Sequence, residues 1–137
     1  MIMVIAGRIN KVAFYCRMNH RDRDYTQFLD DVKKTLDENL GEGKWELELF
    51  FEVASGADPN RKEFTRLKAD IKAKKLDAII SVNASMIARD WKQFCEFMEL
   101  CDKKHVKVFC SKGPDDAGQI YQRIKEFNEK YFGGGSE

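Results

Sequence analysis

The chain has no excess of either charge. Its 24 Lys and Arg nearly balance 23 Asp and Glu, giving a formal net charge of +1 over 137 residues. A field that weak cannot drive strong non-specific binding to nucleic acid or to an anionic membrane. Any DNA affinity has to come from a local patch. Long apolar runs are missing too. The longest are about half a dozen residues, well short of the ~20 that span a bilayer. The N-terminal MIMVIAGRIN is apolar, but it is too short and too weakly flanked to read as a secretory signal. These absences point to a cytoplasmic protein with no membrane partner. Cys16, Cys95, Cys101 and Cys110 contain no CxxC pair, and His20 and His105 do not supply the spacing of a zinc site. The thiols therefore read as reduced and packed, and neither a metal nor a cofactor is expected.

Several chemical signatures are absent as well. There is no Walker A sequence and no GxGxxG. No serine precedes a glycine in nucleophile-elbow form. Cys16-Arg17 stands where an acyl-phosphate receiver would need adjacent acids. Gly41-Glu42-Gly43 follows a helical pattern, where it reads as a stop.

What remains is the pattern of a single α/β domain. Lys11–Cys16 is a continuous apolar run rich in aromatic and β-branched residues, as in a strand covered on both faces. From about Asp24 the period turns helical, with Tyr25, Phe28, Leu29, Val32, Leu36 and Leu40 on one face. Trp45–Val53 alternates as a strand near an edge. The loop Ala54–Asn60 follows, and Asn60 with Glu63 has capping-box spacing for a helix whose inner stripe is Phe64, Leu67 and Ile71. Asp77–Val82 is a second buried strand. A long helix is expected after Asn83–Ser85, with Ile87, Trp91, Phe94, Met98 and Cys101 as its core stripe. Val106–Cys110 is the fourth strand, and Ile120, Ile124, Phe127 and Tyr131 mark a last helix. Residues 1–10 read as a lead-in or an extra edge strand, 11–132 as the domain and 133–137 as a flexible tail.

This βαβαβαβα order predicts a three-layer α/β fold, a mostly parallel sheet of four or five strands in flavodoxin-like order. Ligands of such sheets bind beyond the carboxyl ends of the strands. The loops there carry three arginines, Arg17, Arg61 and Arg89. Each taken singly reads as a surface residue. Together they suit a phosphate, because a guanidinium fork donates paired charge-assisted hydrogen bonds to its oxygens. His20, in a charged loop, reads as an exposed idle histidine before it reads as an acid or base.

Three segments resemble the catalytic domain of the serine site-specific recombinases, the resolvase/invertase family. KVAFYCRMN at Lys11–Asn19 is similar to an opening strand that commonly ends Tyr-x-Arg-Val-Ser. ASGADPNRKEFTRL at Ala54–Leu67 is similar to the family's Ser-Gly loop, arginine and helix. LDAIISVNASMIARD at Leu76–Asp90 is similar to the strand leading into its Asp-Arg-Leu-Ser-Arg box. The resemblance implies DNA strand exchange through a covalent 5′-phosphoseryl link, with arginines holding the phosphate and no metal or nucleotide. It gives Arg17, Arg61 and Arg89 phosphate-contacting roles. It implies DNA, a second copy or an active recombinase as partners.

The departures fall in the same places. Asn19 stands at the nucleophile position, Ser85 at the aspartate and Met86 at the first arginine of the box. A carboxamide has no hydroxyl to deprotonate, and one lost charge contact in such a site costs ~10²–10³ in rate. The family's long dimerisation helix and DNA-binding module are not visible either, since the last helix has about four turns before GGGSE. The leading expectation is a catalytically inactive recombinase domain that acts by binding. The alternatives are an enzyme whose nucleophile is displaced to His20 or Ser85, and an unrelated phosphate- or nucleotide-binding α/β module.

Overall fold

The computed structural model describes residues 9–18, 25–54, 61–112, 121–123 and 125–126. Asn19, His20, Asn60, the lead-in at residues 1–8, the tail, and Ile120, Ile124, Phe127 and Tyr131 lie outside the described residues. Strand β1 (Asn10–Met18) is buried from Val12 to Met18, so both of its faces are covered. A 3-10 turn (Tyr25–Phe28) leads into α1 (Leu29–Leu40), which presents Val32 and Leu36 to the core. Gly41 ends that helix with φ 98°, a left-handed conformation that costs glycine least, and its N–H donates to the Asp37 carbonyl at 3.0 Å. There follow β2 (Trp45–Val53), α2 (Lys62–Lys72), β3 (Ala78–Ser81), the one-turn helix α3 (Ala84–Ile87), α4 (Trp91–Lys103) and β4 (Lys107–Cys110).

The strands pair in the order β2-β1-β3-β4, all parallel. This is the expected flavodoxin-like arrangement, with four strands among the described residues and β2 at an edge. Alternation along β1 sends its side chains to two cores. Ala13 and Tyr15 join Phe50 and Ile79 against Phe64, Leu67 and Ile71 of α2 and Phe94, Phe97 and Cys101 of α4. Val12, Phe14, Cys16 and Met18 join Ala78 and Ile80 against Val32 and Leu36 of α1. Each fully buried Phe, Leu or Ile contributes about 1.5–3 kcal/mol, and these two layers hold the sheet between the helices. No disulfide links the four cysteines. Burial pushes the Cys101 thiol up to about 12, which leaves it unreactive at neutral pH. Among the described residues no helix is long and apolar enough to cross a membrane.

Two local expectations need correction. The long helix after Asn83 is two helices. Ala88 is extended at φ −162° and ψ 142°, and Asp90 starts α4 afresh by accepting from the Gln93 N–H at 3.0 Å. The break turns Trp91 out of the core stripe to 63% exposure, and Phe97 is buried in the stripe instead. The Asp90–Gln93 spacing is itself a helix-start signal. The second correction concerns α2. Arg61 occupies its N-cap position with no side-chain cap. The helix start is held from the neighbouring strand, where Glu52 accepts the N–H of Glu63 at 3.0 Å and of Phe64 at 3.1 Å. Glu63 turns outward to Arg66 at 2.8 Å. Arg66 also pairs with Glu48 at 2.8 Å, lies 3.9 Å from the centre of the Phe50 ring and donates to the Leu49 carbonyl at 3.4 Å.

Candidate functional site

Arg17 leaves the carboxyl end of β1 on the same side as Tyr15, in register with Glu52 of β2. It is only 5% exposed. Its guanidinium donates to three main-chain carbonyls: Ser85 at 2.8 Å, Ala54 at 3.1 Å and Met86 at 3.3 Å. Its own N–H donates to the Met86 sulfur at 3.0 Å. One side chain thereby ties the end of β2 to α3 through β1. Helix α3 is a single turn with unsatisfied carbonyls at its end, which suit a cation.

Arg61 is buried more completely, at 1% exposure. It donates to the Tyr15 hydroxyl and the Ile87 carbonyl at 2.8 Å each and to Gln93 Oε1 at 3.2 Å. Its guanidinium lies 3.9 Å from the Phe64 ring centre, a cation–π distance. The Tyr15 hydroxyl donates in turn to Glu52 Oε2 at 2.5 Å. Charge-assisted bonds of this kind are the strong ones. The chain Gln93–Arg61–Tyr15–Glu52 therefore satisfies a buried cation and caps α2 with the same carboxylate.

Arg89, by contrast, is exposed, as is Ser85, while Met86 is half-buried. Ser85 Oγ donates to Asn83 Oδ1 at 2.9 Å, and the same oxygen caps α3 by accepting the Met86 N–H. Burial holds the Arg17 guanidinium below its ordinary value, Tyr15 opposes that, and the like charges of Arg61 and Arg89 lower it further. Arg17 thus feels the charge of both other arginines. Two of the three are engaged inward, and Arg89 is the one that reaches solvent. Asn19 lies outside the described residues.

Sequence reasoning missed Tyr15, Glu52 and Gln93. A legible signal was the period of two that puts Tyr15 and Arg17 on one face of β1, with an acid, Glu52, at the matching end of β2. Burial and the bond to Glu52 raise the Tyr15 pKa above its ordinary value, against the opposing charge of Arg61. The unfolded chain then ionises this phenol first, so its contribution is intact below about pH 10 and is lost as pH rises above that. Urea unfolding from about pH 9 to about pH 11 should show the native protein losing more stability than Tyr15→Phe over the same interval. Parallel curves would mean the hydroxyl is not held neutral by the fold.

The model of the family described as Resolvase, N terminal domain, matches residues 12–131. No curated protein sequence matches the chain. The fold is similar to that of the N-terminal catalytic domain of TP901-1 integrase, with 21% identity, a TM-score of 0.63 and coverage of 89% of this chain and 98% of that one. It is similar to the C-terminal catalytic domain of ISC1926 TnpA, an IS607-like serine recombinase, with 18% identity, a TM-score of 0.59 and coverage of 93% and 89%. A resolvase family site-specific recombinase from Streptococcus pneumoniae gives 16% identity, a TM-score of 0.57 and coverage of 88% and 89%.

Proposed function

Because the chain belongs to the resolvase N-terminal domain family, we propose that it is a recombinase-type domain that binds and does not cut. Its place is then accessory or regulatory in DNA recombination, with an active recombinase, a second copy or DNA as partner. The observation that carries this reading is the engagement of Arg17. A phosphate clamp needs its fork turned to a ligand, and here three main-chain carbonyls accept from it. Arg61 is likewise satisfied by Tyr15, Ile87 and Gln93. The substitutions support the same reading. Asn19 has no nucleophilic oxygen, Met86 brings a thioether to the Arg17 N–H, and Ser85 brings no carboxylate. Ser85 is a poor substitute nucleophile, because its hydroxyl donates to a carboxamide oxygen too weakly basic to take the proton.

The experiment is covalent capture. The protein is incubated with a pool of nicked and intact end-labelled duplexes of randomised sequence and run on a denaturing gel. The native chain should give no protein–DNA band. The triple variant Asn19→Ser, Ser85→Asp, Met86→Arg should give one, showing that the scaffold survives and only the chemistry is lost. A phosphoseryl adduct on the native chain would sink the reading.

A further inference from the structure

The break before α4 places one residue where a globular chain does not usually leave it. Trp91 is 63% exposed and touches Phe94 only edge-on, with ring centres 6.0 Å apart and planes at 77°. Most of a large aromatic is thus left to solvent at the start of α4, on the connection that leaves the carboxyl end of β3. Arg89 and Lys92, both exposed, flank it in the chain. The acid between them, Asp90, is also exposed, and its carboxylate is engaged in accepting the Gln93 N–H. The buried Arg17 guanidinium feels the charge of Arg89. Further along α4, Glu96, Glu99 and Asp102 are exposed, before the exposed Lys103 at its end. A polyanion is therefore drawn to the start of the helix and repelled from the middle of its outer face.

We propose that Arg89, Trp91 and Lys92 form a nucleic-acid contact in which the Trp91 indole stacks on an unpaired base and the two cations take the neighbouring phosphates. The proposal rests on the binding reading above and names its surface. An aromatic face between cations is the arrangement that binds single strands with little sequence preference. A protein partner would want contiguous apolar area. The other exposed large apolar residues among those described are Ile9, before β1 at the opposite sheet edge, and Val53, on β2 and separated from β3 by β1. Neither extends the patch.

The chain has two tryptophans, and the other, Trp45, is half-buried with its indole N–H donating to Asp37 Oδ1 at 2.9 Å. Trp45→Phe therefore leaves Trp91 as the sole indole reporter. That variant is titrated with an unlabelled single-stranded oligonucleotide of about twelve nucleotides and with the blunt duplex of the same sequence. Anisotropy of end-labelled oligonucleotides gives affinities for the native chain, Trp91→Ala, Trp91→Phe and the double variant Arg89→Ala, Lys92→Ala. The single strand should quench Trp91. Trp91→Ala should weaken single-strand binding at least about fivefold, with Trp91→Phe retaining most of it. The double variant should flatten the log–log salt dependence by about 1.4, two phosphate contacts on a single strand. If oligonucleotides bind but Trp91 is not quenched and Trp91→Ala binds as well as the native chain, this inference fails while the binding reading stands. If no oligonucleotide binds at all, this inference fails and DNA is lost as a partner, which leaves the binding reading with an active recombinase or a second copy. A shift of Trp91 emission with protein concentration alone assigns the surface to a second copy, and that also overturns the proposal.

Discussion

Arg61→Ala should lower the stability of the domain by about 3–5 kcal/mol, the range for removing one member of a buried, bonded charge pair or a large core side chain. Arg61 is one of the largest fully buried side chains among the described residues. Its removal leaves a cavity over Phe64 and takes a donor from the Tyr15 hydroxyl, from Gln93 Oε1 and from the Ile87 carbonyl. Glu52 would then hold its charge near the core with the helix N–H groups and Tyr15 but without the cation. Arg61→Met separates packing from charge. It refills much of the volume, so it should cost clearly less than alanine, since apolar replacement of a buried charge is often close to neutral. Urea unfolding checks both, with the midpoint falling and the m-value unchanged if the denatured state is unaffected. A loss below about 1 kcal/mol for alanine would mean the network contributes little.

Arg17→Ala should cost about 2–3 kcal/mol, while Arg89→Ala should stay within about 0.5 kcal/mol of the native chain. The two arginines belong to one electrostatic cluster, but only Arg17 is tied to Ala54, Ser85 and Met86. Without it, α3 is a single turn held by its own backbone bonds, among them Ala88 N–H to the Ala84 carbonyl and Met86 N–H to the Asn83 carbonyl at 3.2 Å each, and by its Asn83 cap. Hydrogen exchange at Ala88 should therefore accelerate more than at Phe94, which lies in the longer α4. Equal stability of the two variants would remove Arg17 from its role as the tie between β1 and α3. It would also restore the phosphate clamp as the better account of that side chain.

The sheet was legible because strands buried on both faces write themselves as unbroken apolar runs, as at Val12–Cys16 and Ala78–Ile80. Helices α1 and α2 were legible because their single inner stripes have the helical period. The break at Ala88–Asp90 was not, because Ile87, Trp91, Phe94 and Met98 keep that period across it. Spacing alone cannot separate one long helix from two capped ones. The local Asp90–Gln93 pair was the available sign. The surroundings of the arginines were not legible. Sequence topology puts Arg17, Arg61 and Arg89 in loops at the carboxyl edge of the sheet, but it does not show that Arg17 and Arg61 are buried, because what makes a buried guanidinium tolerable is a set of partners from other segments. Tyr15, Glu52, Ile87 and Gln93 are up to 78 residues apart in a chain of 137, and no local pattern announces that they meet.

The position of Arg66 has a consequence for how the protein behaves in a crowded solution. β2 is a nine-residue strand that pairs, among the described residues, with β1 alone. A long unpaired border of this kind is a template on which foreign chains lengthen a sheet. Arg66 lies across it, bonded to the Leu49 carbonyl and spread over the Phe50 ring, with Glu48 and Glu63 fixing its fork. An incoming strand would have to displace a bonded cation before it could add. At this border the molecule carries its own guard against runaway sheet growth.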